Sequence, residues 1–194
     1  MPEFPETVMT GRLVLSRIRA DELPVYLAFY QDEKVTATLG GVRSEERVRK
    51  WLDWQLQHWR EHAFGWWTMR DRTTGAFVGR GGIQRAEVDG KDEVELGYGL
   101  LPGYWGLGLA AEMSREALRL GFDVLGLKSV VSFTLPTNHP SRRVMEKVGM
   151  SCERDIIWAD LPHVLYRIDR ATACQSMRSA DASRSDTPPP PRSA

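Results

Sequence analysis

Between residues 94 and 113 the stretch VELGYGLLPGYWGLGLAAEM changes its periodicity. Val94, Leu96, Tyr98 and Leu100 alternate with Glu95, Gly97 and Gly99, the two-residue repeat of a strand. From Leu109 onward the apolar positions are Met113, Ala117, Leu120 and Val124, spaced as one face of a helix. Gly103, Gly106 and Gly108 fill the joint between the two patterns. A strand running almost directly into a long helix points to a chain that mixes both element types.

The flanking segments agree. RLVLSRIR, from Arg12, alternates like a first strand, and a helix is expected from about Asp21, capped by that residue, with Leu23, Leu27 and Tyr30 inward. From Ser44, SEERVRKWLDWQLQHW places Val48, Leu52, Leu56 and Trp59 on one face. Glu45 with Arg49 and Glu46 with Lys50 form four-residue charge pairs on the wet side, while Trp51 and Trp54 widen the apolar surface. WWTMR, DRTTG and AFVGRGGI read as strand, turn and hairpin partner, RAEVDGKDE as a polar reversal, and VELGYGLL as the third strand of an antiparallel meander. After the glycine-led helix come a strand SVVSFTL, a short helix from Pro140 to Gly149, and two strands around RDIIW and HVLYRI. The expected fold class is α+β, with a central mixed, mostly antiparallel sheet flanked by helices.

At 194 residues, 42% hydrophobic and 27% charged, the chain has enough apolar material for one core and too little length for two. Residues 1–170 are read as one domain. Residues 171–194 hold five Ala, five Ser and four Pro and are read as a disordered tail, whose proline run also has the composition of a polyproline ligand. Lys plus Arg and Asp plus Glu each total 26, so no global charge draws a polyanion or an anionic membrane, and neither nucleic acid nor membrane is an expected partner. The opening MPEFPETVMT lacks a basic start and apolar run, and no stretch reaches the length of a spanning helix. With two cysteines, Cys152 and Cys174, a reducing cytoplasmic setting is expected.

Chemistry concentrates at residues 94–113. Glu95, Gly97 and Gly99 share one strand face, a carboxylate beside a surface low enough for a ligand or another backbone to approach; a bulge or tight twist explains the glycines equally well. Gly106 and Gly108 at a helix start leave backbone N–H groups free for a phosphate oxygen. The joint matches neither a dinucleotide fingerprint nor a phosphate loop with Gly-Lys-Ser/Thr, which disfavours nicotinamide enzymes and nucleoside-triphosphate hydrolases. Asn138 and Ser141 bracket the short helix opened by Pro140 and read as its caps. His58, His62, His139 and His163 show no metal-ligand spacing and no metal is expected; Cys152 reads as packing, and no serine sits in a nucleophile elbow.

PGYWGLGLAAEM, followed by LGLKSVVSFTLPTNHPSRRVMEKVGM, resembles the acetyl-coenzyme A-binding core of the GNAT N-acetyltransferase superfamily, in its ribosomal-protein alanine N-acetyltransferase-like branch. GRLVLSRIRADEL and EHAFGWWTMRDRTTGAFVGRGGI resemble the same branch, and the likeness runs over about residues 10–168. It implies a GNAT fold and direct acetyl transfer from acetyl-CoA to an amine, either a protein N-terminal amine, as on a ribosomal protein, or that of a small molecule. It implies a pyrophosphate loop at Trp105, Gly106, Leu107, Gly108, Leu109 and Ala110, and cofactor contacts from Leu96, Tyr98, Asn138 and Ser141. Many relatives outside this branch carry Arg or Gln where Trp105 stands, and many members carry a tyrosine general acid where this chain has Met145. Glu95 is then the candidate general base, acting through water, and Ser141, water or another group serves as acid unless no strong acid is needed. Acceptor choice is expected from residues 40–54 and the HVLYRI hairpin, by analogy with the family. The assembly is expected to be a monomer or homodimer. A coenzyme-binding regulatory protein without transfer activity is the competing class, motivated by Met145.

Overall fold

The alternating segments do form strands, and they join into a single sheet. A computed structural model describes residues 3–173. Its elements are β1 (Thr7–Met9), β2 (Leu13–Arg17), α1 (Leu23–Gln31), α2 (Glu33–Thr36), α3 (Glu45–His62), β3 (Trp66–Asp71), β4 (Phe77–Val88), β5 (Lys91–Leu100), α4 (Leu109–Asp123), β6 (Ser129–Thr134), α5 (His139–Lys147), β7 (Ser151–Trp158) and β8 (Leu161–Asp169). The sheet order is β1-β2-β3-β4-β5-β6-β8-β7, antiparallel throughout except where β6 runs parallel to β5. That parallel step is the one that requires a helical crossover, and α4 supplies it. The expected mixed, mostly antiparallel sheet flanked by helices is the observed one.

Side-chain alternation divides the core. On one face Leu13, Leu15, Trp67, Met69, Ile83 and Leu96 pack with Met113, Ala117 and Leu118 of α4 and Met145 of α5. On the other, Trp66 joins Tyr26, Phe29 and Tyr30 of α1 and Val48 and Leu52 of α3. A smaller cluster of Val88, Val131, Ile156 and Leu165 closes the β6–β8 end.

Local chemistry accounts for most boundaries. Ser44 caps α3 by accepting the Arg47 N–H, and both expected ion pairs, Arg49–Glu45 at 2.6 Å and Lys50–Glu46 at 2.7 Å, lie on its wet face. Asp21 does not cap α1: it pairs with Arg19, a 3-10 turn precedes the helix, and the buried face is Tyr26, Phe29 and Tyr30 rather than Leu23 and Leu27. The polar run after Ile83 is strand almost throughout; only Asp89 and Gly90, both at positive φ, reverse the chain in a two-residue turn. Leu56 is only partly buried, whereas Gln55 and His58 are buried in its stead. Cys152 is exposed on the edge strand β7 and does not pack. The chain continues in helical conformation to Ala173, which is 2% exposed against the main core. The rest of the proposed tail, 174–194, lies outside the described residues.

Trp66, Gly82 and Gly97 align across β3, β4 and β5, and Trp66 packs against α1 and α3. A methyl group on Gly97 would sit 2.2 Å from the Trp66 ring, so the bare strand is the bed of the indole. Gly97→Ala is therefore expected to cost about 1–3 kcal/mol through overpacking. Urea unfolding measures it, and an unchanged midpoint would contradict the close packing.

Candidate active site

Strands β5 and β6 pair at a single position, Glu95 opposite Val131, and part beyond it. The gap opens at the carboxyl ends of the two parallel strands, between the joint leading to α4 and the start of α5, the position where open sheets receive ligands. Tyr98 and Ser141 meet across this gap, Asn138 caps the helix on its far side and the glycine loop lies at its mouth, whereas Glu95 is on the opposite face of β5 from Tyr98.

At the mouth, Gly106 (φ 74°) and Gly108 (φ 78°) take left-handed conformations that side chains disfavour. A Cβ on Gly106 would meet nothing within 4 Å, so packing does not demand a glycine there. The first hydrogen bond at the start of α4 is Glu112 N–H to Gly108 O, leaving the N–H groups of Leu109, Ala110 and Ala111 without intrahelical acceptors at the positive end of the helix dipole. Trp105 and Leu107 are more than half exposed; the Trp105 indole donates to Leu100 O at 2.8 Å and pins the loop to the end of β5. Leu96 and Leu109 have buried side chains, so each can offer a ligand little besides its backbone.

Arg12 was not singled out by its sequence context. Its guanidinium donates to Leu107 O at 2.7 Å and to Glu112 at 2.7 Å, while its backbone N–H also reaches Glu112. Burial alone would raise the Glu112 pKa, but hydrogen bonds from Thr10 and Arg12 outweigh it and hold the carboxyl below its usual value. Glu112, placed in the first turn of α4, is thus matched by a cation beside the free N–H groups. Only the tertiary fold brings residue 12 to residues 107–112.

Across the gap, Asn138 caps α5 by accepting the Ser141 N–H at 3.3 Å and donates to Thr134 Oγ1 at 2.9 Å, tying the end of β6 to the helix start. The Tyr98 hydroxyl reaches from β5 to both the carbonyl and the Oγ of Ser141, each at 3.0 Å. Burial keeps the Tyr98 phenol protonated well above its usual range. Met145 is fully buried among core residues. The hydroxyls bordering the gap are therefore Tyr98 and Ser141, with position 145 given over to packing.

Glu95 lies on the other face of β5. It accepts from Gln84 Nε2 at 3.0 Å, and Gln84 Oε1 accepts from Gln55 Nε2 of α3 at 3.0 Å. Burial pushes the Glu95 pKa up, against the opposing hydrogen bond from Gln84 and the charge of Arg80. The buried Gln55 Oε1 and Trp66 Nε1 have no hydrogen-bond partner. Gln55 was legible in principle, as a polar residue that shares with His58 the inward series Val48, Leu52, Gln55, His58, Trp59; Gln84 carried no such signal.

The histidines fit scaffold roles. His58 Nδ1 meets Phe64 O at 2.9 Å and its Nε2 accepts the Arg85 N–H at 3.0 Å, so the ring is neutral, and burial lowers its pKa to about 4. His139 is exposed. Among the described residues no cluster of metal-ligating side chains is present, and no helix is long and apolar enough to cross a membrane. Two open concavities, of about 620 and 530 Å³, lie around Phe4, Arg17 and Trp59 and around Glu22 and Arg70, and neither includes Glu95, Ser141 or the glycine loop.

Known proteins resemble this chain in sequence or in fold. The uncharacterized protein YkkB of Bacillus subtilis is 27% identical over 161 residues, 80% of this chain and 94% of that one. An acetyltransferase structure from Agrobacterium tumefaciens superposes with a TM-score of 0.76 at 25% identity, covering 88% of this chain and 97% of that one. The ribosomal-protein-S5-alanine acetyltransferase of Vibrio fischeri shares the fold with a TM-score of 0.67 at 16% identity, over 84% of this chain and 96% of that one. The family model described as the acetyltransferase (GNAT) domain matches residues 12–151, the span that holds the glycine loop, the parted strands and Glu95, and the chain belongs to that family.

Proposed function

We propose that this acetyltransferase moves an acetyl group from acetyl-CoA directly to a primary amine, with a peptide N-terminal amine as the acceptor that the branch-level resemblance favours. The observation that carries the reading is the parting of β5 and β6 beside an uncapped helix start, with a carboxyl of raised proton affinity on the opposite strand face.

The coenzyme fits the residues present. Its pyrophosphate would lie against the free N–H groups of Leu109, Ala110 and Ala111, with Gly106 and Gly108 keeping side chains out of the way and Arg12 adding positive charge. Its extended arm would follow the unpaired edge of β5 past Leu96 and Tyr98 toward Asn138 and Ser141. Bound there, acetyl-CoA supplies a thioester already reactive toward amines, which leaves placement and proton removal to the protein.

An amine is mostly protonated near neutral pH and cannot attack until it loses that proton. Glu95 takes it, directly or through water, and its raised pKa keeps it a competent base closer to neutrality than an exposed glutamate. Gln84, itself held by Gln55, fixes the carboxyl orientation. On the other side of the strand Ser141, hydrogen-bonded to Tyr98, or water serves as the proton source for the departing thiolate, the task that Met145 cannot perform.

The direct test is free-thiol release from acetyl-CoA across small amines and peptides of varied first residue, with product mass locating the acetyl group. Acetylated amine is the expected product; coenzyme binding without product across the whole panel would favour a non-catalytic coenzyme-binding protein. Gly108→Val is expected to weaken acetyl-CoA binding by about tenfold or more, since a β-branched residue resists the left-handed conformation and narrows the loop. Calorimetric titration, with circular dichroism to confirm the fold, reads this, and unchanged affinity would place the phosphates elsewhere.

A further inference from the structure

The sheet face that carries Glu95 also carries an unbalanced charge. Arg80, in β4 opposite Gly99, is only 3% exposed. Among the described residues no carboxylate lies within ion-pair distance of it. Its Nε donates to the Tyr30 hydroxyl at 3.2 Å, and the guanidinium carbon lies 4.2 Å from the ring centre of Trp66 and nearly 6 Å from those of Tyr30 and Phe29. Aromatic faces offset part of the cost of removing a cation from water; an anion offsets far more.

The carboxylates of this region are otherwise engaged. Glu22 is held by Arg70 at 2.9 Å and by the Thr68 hydroxyl at 2.6 Å. Glu95 is bonded to Gln84; the Arg80 charge acts on it, but only from beyond ion-pair distance. Further positive charge accumulates instead. The Arg43 guanidinium lies over the Tyr30 ring at 4.3 Å, also without an ion-pair partner among the described residues, in surroundings that disfavour its charge through burial and through Arg80 and Arg47. Trp66 Nε1, on the ring that Arg80 covers, is a buried donor with no acceptor. A buried guanidinium without a counterion and an orphaned N–H on adjoining side chains together call for one acceptor of negative charge.

We propose that Arg80, with Arg43 and Trp66, binds a carboxylate of the acceptor, so that the amine acetylated here carries that carboxylate a few bonds from its nitrogen. This rests on the transfer reading above and narrows its substrate. The spacing follows from the strand: Trp66 stands on Gly97, two residues from Glu95, or about 7 Å at the rise of a strand. A nitrogen delivered to Glu95 thus leaves its carboxylate near Trp66 and Arg80. The same chemistry is available from the α-carboxylate of a free amino acid or from an acidic side chain near a peptide N-terminus.

Matched pairs separate these sources: amino acids against their amides, and C-terminally amidated peptides with Asp against Asn at the second position. In one of the two arms the carboxylate member is expected to be acetylated with a kcat/KM about ten- to a hundredfold higher. Arg80→Met should bring that ratio close to one while acetyl-CoA still binds, and Arg43→Gln, at a less buried position, should reduce it and serves if Arg80→Met does not fold. No preference for the carboxylate in either arm, or a preference that survives the folded variants, would overturn the proposal. If no amine is acetylated at all, the transfer reading fails separately. Titration of the same pairs into the CoA-bound protein then decides the anion site, tighter carboxylate binding that Arg80→Met abolishes supporting it and equal binding overturning it.

Discussion

The parting of β5 from β6 after one shared position organises the candidate site. Two parallel strands joined by a helix would ordinarily extend their ladder, and here the ladder stops at Glu95 and Val131. Backbone groups beyond that point face a gap instead of a partner strand, which leaves their N–H and C=O groups free for a ligand to bind. The elements at the rim are arranged around that opening. The glycine loop and α4 lie at one side, Asn138 and α5 at the other, and the Tyr98–Ser141 hydrogen bonds span it. A coenzyme with a phosphate end and an amide-bearing arm has the chemistry to satisfy both the loop and the strand edge.

The opposite face of β5 is built to different requirements. Glycine at 97 admits the Trp66 ring, and glycine at 99 lets Phe29 and Arg80 pack close, so the low surface anticipated from the sequence is occupied by side chains of neighbouring elements. The strand pattern allowed close approach of a ligand or another backbone, or a bulge or tight twist; at Gly97 it is instead the Trp66 side chain that fills the space. Glu95 remains beside this aromatic wall, with its pKa raised by burial. A carboxyl whose folded pKa exceeds its unfolded value lowers stability as pH rises through that interval, so ionising Glu95 is a cost to the fold. Such a cost is expected where a base must stay near a low-dielectric reaction site.

Much of the architecture was legible because local patterns and tertiary packing agree. The period-2 strands, the Ser44 cap, the glycine-led α4 and the Asn138–Pro140 start of α5 all appear where alternation and cap chemistry place them. Where they disagree, tertiary packing prevails. In α1 the aromatic residues Tyr26, Phe29 and Tyr30 turn inward against Trp51 and Phe77, displacing the leucine face. In β4 the polar residues after Arg85 stay in the ladder because Asp89 and Gly90 suffice for the turn. Within the candidate site, residues on the contiguous stretch 94–113 were readable from spacing. Arg12, Gln84, Trp66 and Arg80 come to it from distant segments, and a guanidinium without a counterion is recognisable only once its neighbours are known.

The central claim is that proton removal by Glu95 on one strand face is coupled to coenzyme held at the other. The most direct measurement is the pH dependence of kcat/KM for acetyl transfer in the native chain and in Glu95→Gln. The native profile should fall as pH drops through a pKa above that of an ordinary glutamate. The variant should lose that inflection and about 10²–10⁴-fold in rate while binding acetyl-CoA normally. An unchanged profile and rate in Glu95→Gln would contradict the assignment and leave proton removal to another group.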